Sequence, residues 1–156
     1  MSSCAARHIL THNRNHHILA MIAYKENDLQ TAFDLEEKAL KIFLKAYPIH
    51  PLVATAYYRQ GCVRLRQDRL DEALTRFQMA LDITQLYESE KGDKGESARV
   101  LWRMSQALEL QGRQAEASEL KRAAKEIHET LYATGLYTAP SNEEEGWDNL
   151  QSFWYR

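Results

Sequence analysis

Apolar residues recur at helical spacing along most of the chain, and no stretch shows the strict alternation of apolar and polar residues that is typical of strands. The sequence contains only three prolines. Because proline interrupts helix interiors, and all three stand between the apolar stretches or near the end of the chain, long helices can form. The pattern predicts an all-α fold.

One string of residues occurs three times. In each copy two alanines lie seven positions apart, and an isoleucine follows the second alanine by three positions. The copies are Ala32, Ala39 and Ile42; Ala73, Ala80 and Ile83; and Ala117, Ala124 and Ile127. The first alanines are 41 and 44 positions apart (73 minus 32, 117 minus 73), and such a period predicts a repeat architecture.

Each copy follows a turn signal, in which short polar residues or glycine allow the chain to reverse. The signals are Asn27-Asp28, Asp68-Arg69 and Gly112-Arg113. A small residue also stands twelve positions before the first alanine of each copy, at Ala20, Gly61 and Ser105. Because small side chains let two helices cross closely, each unit is predicted to be a helical hairpin.

The hairpins are predicted over residues 13–47, 52–88 and 96–134, within a repeat region of residues 13–135. Residues 1–12 are an N-terminal segment that is expected to extend the first helix, and residues 136–156 are an acidic and aromatic tail. A single hairpin cannot bury its apolar face alone, so the hairpins are expected to stack as a solenoid.

These residues resemble the tetratricopeptide repeat family, whose signature sets small residues, alanines and an aromatic residue across a helical hairpin. The second copy matches best, with Tyr57, Gly61, Ala73, Phe77 and Ala80 on family positions. At the position of Phe77 the first copy has Glu36 and the third has Lys121. The resemblance implies a right-handed α-solenoid of three hairpins with a C-terminal tail or capping helix.

The repeat period is longer than the family's usual length of about 34 residues. It looks like the kinesin light chain type of repeat, with longer helices or connecting loops. Pro48 to Pro51 and Gly92 to Gly95 supply those connections.

In this family the first helix of each hairpin lines a concave groove. Counted from the small residue of each copy, the predicted groove residues are His17, Met21, Tyr24, Tyr58, Arg59, Cys62, Arg66, Arg99, Trp102, Arg103 and Gln106. Arginine and aromatic side chains are enriched at protein interfaces, and arginine matches carboxylates. The groove is expected to bind an acidic or aromatic segment of another protein, unless the arginines are ordinary surface partners of nearby glutamates.

One subtype of the family binds acidic chaperone tails through a five-residue carboxylate clamp. Arg99 and Arg103 match its two basic positions in the third repeat. His17, Met21 and Arg59 stand where the clamp has a lysine and two asparagines, which argues against that partner.

The tail carries an acidic run and then aromatic residues, with Trp147, Asp148 and Trp154 as its motif. Trp147 and Trp154 lie seven positions apart, so a short amphipathic helix would cover the last repeat as a cap. Alternatively, the flanking acidic residues make Trp147 similar to the tryptophan-acidic motifs that kinesin light chain repeats recognise. The tail would then occupy its own groove or that of a neighbouring copy.

The composition narrows the function classes. The 156 residues carry a formal net charge of only -2, with basic and acidic residues interleaved, so nucleic acid is not an expected partner. No apolar run approaches the roughly 20 residues of a membrane span, and the start of the chain lacks the apolar segment of a signal peptide. Cys4 and Cys62 do not make a disulfide framework. A cytoplasmic protein is predicted.

No sequence motif of catalysis or cofactor binding is present, so neither an enzyme nor a cofactor is expected. His8, His12 and His16 have the i, i+4, i+8 spacing of a metal site, but no carboxylate supports them and weak helix formers surround them. Cys62 is read as a packing residue rather than a nucleophile. The chain is therefore interpreted as a protein-binding adaptor or scaffold. The alternative is the architectural C-terminal portion of a longer repeat array that supports oligomerisation.

Overall fold

The computed structural model describes residues 15–91 and 94–135, and the side chains of residues 89–91 are outside that description. Every regular element in these ranges is an α-helix, in agreement with the predicted all-α class. Residues 15–25 belong to α1. The others are α2 (Leu29–Ala46), α3 (Pro51–Arg66), α4 (Leu70–Lys91), α5 (Gly95–Leu110) and α6 (Gln114–Ala133). The predicted segment 1–12 and the tail, with Trp147, Asp148 and Trp154, lie outside the described residues.

Three turns join α1 to α2, α3 to α4, and α5 to α6, and all three have the same geometry. Asn27, Asp68 and Gly112 adopt the left-handed conformation, with φ of 62°, 58° and 77°. The next residue donates its N–H to the carbonyl five positions earlier at 2.8, 2.9 and 2.9 Å, which is the hydrogen bond of a Schellman motif. Asparagine and aspartate tolerate this conformation better than most residues, which explains why they stand there beside glycine.

Helix α3 begins at Pro51, which is suited to the first turn because its missing N–H has no helical partner there. His50 precedes it as the N-cap, and its Nδ1 accepts the N–H of Leu52 at 3.1 Å. The ring of His50 also stacks on Phe43, with centroids 5.9 Å apart. The cap thus joins the start of α3 to the end of α2.

The chain divides into two compact units, residues 1–80 and 81–156, and the division falls inside α4. In the first unit, Ala23, Ala32, Phe33 and Val63 form one buried cluster. In the second unit, Ala98, Trp102 and Ala124 are buried together, with Leu101, Ile127, Leu131 and Tyr132 packed against them. The ten predicted repeat positions are all buried: Ala20, Ala32, Ala39, Gly61, Ala73, Phe77, Ala80, Ser105, Ala117 and Ala124.

Helices α3 and α4 pack tightly where Gly61 meets Phe77. A Cβ atom at Gly61 would lie 2.5 Å from both Cδ1 and Cε1 of Phe77. Phe77 is fully buried, so its ring has little room to move away. The small residue is therefore required by the aromatic residue of the facing helix.

Candidate protein-binding surface

The two helices of each hairpin touch through a pair of large side chains at equivalent repeat positions. Using the offsets of 41 and 44, His17, Tyr58 and Trp102 are equivalent on the first helices, and Glu36, Phe77 and Lys121 on the second helices. Each residue of the first set lies against its counterpart in the second set. The chemistry of the pair differs in each hairpin.

In the first hairpin the pair is polar and buried. Nδ1 of His17 lies 2.6 Å from Oε2 of Glu36, although the angles are not those of a hydrogen bond. Nη1 of Arg59 donates to Oε1 of Glu36 at 3.3 Å and to the carbonyl of His17 at 3.2 Å. Only 1% of Glu36 is exposed, and a carboxylate so deeply buried needs such partners.

The second and third hairpins use aromatic contacts. Tyr58 and Phe77 pack with centroids 5.9 Å apart at an angle of 50°. In the third hairpin, Nζ of Lys121 lies 5.0 Å from the centre of the Trp102 ring and 3.1 Å from Oε1 of Glu109. The two departures from the family's aromatic residue, Glu36 and Lys121, are thus matched by the residue on the facing helix.

The predicted groove residues fall into two sets. Five of them are buried: His17, Tyr58, Cys62, Arg99 and Trp102. The other six are partly or fully exposed: Met21, Tyr24, Arg59, Arg66, Arg103 and Gln106. A partner that binds without rearranging the fold is expected to contact the second set.

Four of the exposed residues lie together in the first unit, and we call them the Arg59–Arg66 face: Met21, Tyr24, Arg59 and Arg66. Nη2 of Arg59 lies 3.2 Å from the sulfur of Met21. Nη1 of Arg66 donates to the carbonyl of Tyr24 at 2.9 Å, and its guanidinium lies 4.1 Å from the centre of the Tyr24 ring. Each arginine is therefore held in one orientation by α1.

The two arginines reach α1 with the same register. Arg59 binds the carbonyl of His17 and Arg66 that of Tyr24, and in both cases 42 residues separate donor and acceptor. Seven positions, or about two helical turns, separate the two contacts on each helix. In the second unit, Nη1 of Arg103 donates to Oε1 of Gln106 at 3.0 Å within α5.

A buried polar cluster at the start of α5 was not predicted from the sequence. Glu88 accepts the N–H of Ser97 through Oε1 at 3.1 Å, and its Oε2 accepts the Ser97 hydroxyl. The Ser97 hydroxyl also lies 2.9 Å from that of Thr84. Burial raises the pKa of Glu88 to about 7 against the opposing effect of the Ser97 hydrogen bonds, and the charge of Glu96 raises it further.

No local sequence signal identifies this cluster, because Glu88 lies on α4, nine positions before Ser97 and on a different helix.

In the ranges that the structure describes, no three histidine, cysteine or acidic side chains are placed to hold a metal ion. Two of the histidines considered for such a site, His8 and His12, lie outside those ranges. None of the described helices is long and apolar enough to cross a membrane.

Two comparisons with known proteins agree with this architecture. The family described as Tetratricopeptide repeat matches residues 11–85. The crystal structure of BtubC (BKLC) from P. vanneervenii is similar with a TM-score of 0.71 at 20% sequence identity, over 84% of this chain and 51% of that chain. The chain spans about half the length of that protein, and at this identity the likeness shows the fold alone. No curated protein matches the sequence.

The kinesin light chain type of repeat is tested by neither match and stays a prediction. The family match includes the described part of α1 and ends within α4, so it contains two of the three Schellman turns and two of the three hairpin pairs. The third turn repeats the same hydrogen bond in the second unit, and the third hairpin also has a contact at the equivalent pair of positions. The family match over residues 11–85 and the structural likeness support a tetratricopeptide-repeat protein.

Proposed function

We propose that this chain is a protein-binding adaptor module, which holds an acidic, aromatic-containing segment of its partner on the Arg59–Arg66 face. Tetratricopeptide repeats are generally protein-interaction modules. The choice of this face and of this kind of segment rests on the geometry of Arg66, whose exposed guanidinium is fixed by the carbonyl and the ring of Tyr24.

The acidic character of the partner follows from the donors of Arg66. Within the described residues the hydrogen bond of Arg66 uses Nη1, which leaves Nε and Nη2 for a carboxylate, a group that guanidinium binds with two parallel hydrogen bonds. Because Tyr24 already orients the side chain, less conformational entropy is lost on binding than for a free arginine. Fixed and exposed cations of this kind favour an anionic guest.

The aromatic character of the partner follows from the neighbours of the two arginines. Met21 is exposed and contacts Arg59, and Tyr24 is partly exposed beneath Arg66. A thioether adapts to irregular apolar groups and makes favourable contacts with aromatic rings. An aromatic residue next to a carboxylate would therefore find both its contacts on this face.

The proposal does not extend to chaperone tails. Of the two basic residues that match the clamp, Arg99 is buried, and only Arg103 is partly exposed. A cytoplasmic location is included in the proposal because Cys62 is a buried free thiol and the composition favours no other compartment. No catalytic role is proposed.

The experiment is a titration of the protein lacking residues 141–156 with a fluorescent peptide of those residues, which supplies the acidic run and the tryptophans. Arg66→Glu should weaken binding at least about tenfold, since it replaces an attraction by a repulsion. The affinity of the Arg66→Lys protein should lie between those of the unsubstituted and Arg66→Glu proteins, because lysine keeps the charge but cannot donate two parallel hydrogen bonds to a carboxylate. Arg122→Glu is the control, because Arg122 is an exposed arginine on α6 paired with Glu126. Equal affinity of the Arg66→Glu and Arg122→Glu proteins would reject the Arg59–Arg66 face.

A second role, in oligomeric architecture, is favoured by one separate observation. Helix α1 exposes several large apolar side chains on the side away from its buried residues. This observation concerns a different surface from the Arg59–Arg66 face.

A further inference from the structure

We propose that the outer side of α1 binds the same surface of a second copy of this chain, with the two α1 helices antiparallel. The contact surface is the α1 stripe, which consists of Ile18, Leu19 and Ile22 with Asn15 and Glu26 at its ends. The proposal does not depend on peptide binding, because the α1 stripe and the Arg59–Arg66 face are separate surfaces.

The α1 stripe concentrates exposed apolar surface. Ile18, Leu19 and Ile22 are 53%, 50% and 47% exposed. Nine large apolar residues are exposed in the described parts of the chain, and these three together with Met21 fall within five consecutive positions, whereas the other five are spread over four different segments. Contiguous exposed apolar surface in a soluble domain typically marks an interaction site.

The spacing of these residues fits a helix as the partner. Each of positions 15, 18, 19, 22 and 26 has another member of the set three or four residues away, so the set follows one side of α1 over about 16 Å. The helical hydrogen bonding continues to the end of the stripe, since the N–H of Glu26 donates to the carbonyl of Ile22 at 2.9 Å. His17, Ala20 and Ala23 occupy the opposite, buried side. Such a seam packs against a second helix with the same spacing.

The chemistry of the stripe selects a second copy over a charged peptide. No Lys, Arg, Asp or Glu occurs from residue 15 to residue 24, so the middle of the stripe offers nothing to an ionic group. An apolar helical seam is the complementary surface, and a second α1 provides one of identical length.

The ends of the stripe select the antiparallel orientation. In an antiparallel pair, Asn15 faces Glu26 of the second copy, and its amide donates to that carboxylate. Leu19 then lies opposite Ile22 of the second copy. In a parallel pair the two Glu26 carboxylates would face each other, and like charges across a helical seam are unfavourable.

The association should be weak, because three large apolar side chains per copy make a small interface. Sedimentation velocity of the full chain from about 5 to 500 μM covers the range expected for such interfaces. The weight-average mass should rise from that of the 18.1 kDa monomer towards twice that value. A monomer throughout this range would overturn the proposal.

Leu19→Arg should keep the protein monomeric at every concentration. Leu110→Arg is the matched control, since Leu110 is a 65% exposed leucine on α5, and its dimer should form as in the unsubstituted protein. Both changed residues are exposed, so circular dichroism should show unchanged helix content. A dimer that survives Leu19→Arg, or one that Leu110→Arg also abolishes, would place the contact elsewhere and overturn the proposal.

Disulfide trapping tests the orientation. Asn15→Cys and Glu26→Cys chains, each also carrying Cys4→Ser and Cys62→Ala, are mixed and oxidised. The antiparallel pair should give mainly the mixed disulfide between the two chains, whereas a parallel pair would give disulfides between identical chains. The second result would overturn the antiparallel arrangement.

Discussion

Nδ1 of His17 lies 2.6 Å from Oε2 of Glu36, at the two repeat positions that hold Tyr58 and Phe77 in the next hairpin. A buried histidine–glutamate pair and an aromatic pair therefore occupy the same place in two successive repeats. The two residues of such a pair are interdependent, since neither suits the partner from the other hairpin. A carboxylate beside Tyr58 would lose the imidazole that faces Glu36, and an aromatic ring beside His17 would leave Arg59 without Glu36.

A double-mutant cycle on the first hairpin measures this interdependence. His17→Tyr and Glu36→Phe should each destabilise the protein by roughly 2 to 4 kcal/mol, because each leaves a buried charged or polar group without its partner. The double variant, which copies the second hairpin, should recover at least about 1 kcal/mol relative to the sum of the single effects. Urea unfolding monitored by circular dichroism gives the four values. Strictly additive effects would contradict the coupling.

The second prediction concerns the close approach of α3 and α4. Gly61→Ala should destabilise the protein by about 1 to 3 kcal/mol, because the new Cβ overlaps the buried ring of Phe77. Phe77→Leu in the Gly61→Ala background should cost less than Phe77→Leu alone, since the smaller side chain makes room for the methyl group. Thermal and urea unfolding of the four proteins test this. If Gly61→Ala left the free energy of unfolding unchanged, the two helices would be able to move apart without loss of stability.

Phe77→Ala provides the separate measure of burial at the same contact. Truncation of a fully buried phenylalanine should cost about 3 to 5 kcal/mol. The free energy of unfolding in urea is the measurement. A loss below about 1 kcal/mol would be incompatible with a buried ring at this position.

The hairpins were predictable from sequence because their turns depend on local chemistry. Asn27, Asp68 and Gly112 are residue types that accept positive φ, and the alanines that follow recur with a fixed period. The groove was less predictable. Counting from Ala20 and Ser105 predicted that His17 and Arg99 line the groove, but both side chains are buried. The burial of a side chain depends on which other segments pack over it, and a count along one helix does not show that. Glu36 was noted only as a departure from the family, because its partner lies nineteen positions earlier on another helix.

The N-cap of α3 yields a prediction that separates two roles of one side chain. His50→Ala removes both the acceptor for Leu52 and the ring stacked on Phe43, whereas His50→Asn removes only the ring and keeps a good cap. The Asn variant should therefore be more stable than the Ala variant by about 1 kcal/mol. Unfolding at pH 8, where an imidazole is ordinarily neutral, is the appropriate measurement. Equal stabilities would mean that the cap contributes nothing.

The raised pKa of Glu88 predicts how the stability of the protein depends on pH. Its pKa is raised from 4.5 to about 7, chiefly because burial disfavours the carboxylate. Below pH 4.5 the carboxyl is protonated in both the folded and unfolded chains, so folding carries no penalty from this group. Between pH 4.5 and 7 Glu88 is largely ionised in the unfolded chain but still protonated in the folded chain. The contribution of Glu88 to the free energy of unfolding therefore falls as pH rises. Above pH 7 the penalty is constant, and a shift of this size corresponds to about 3 kcal/mol.

Glu88→Gln isolates that contribution, since the amide keeps an oxygen for the N–H of Ser97 and an N–H for its hydroxyl. The variant should be more stable than the unsubstituted protein at pH 8, by up to about 3 kcal/mol, and the difference should vanish near pH 4.5. Glu129→Gln, which changes an exposed glutamate of α6, serves as the control and should change stability little at either pH. Because the raised pKa comes from burial, a difference that does not vary between pH 4.5 and 8 would mean that solvent reaches Glu88 in the folded protein.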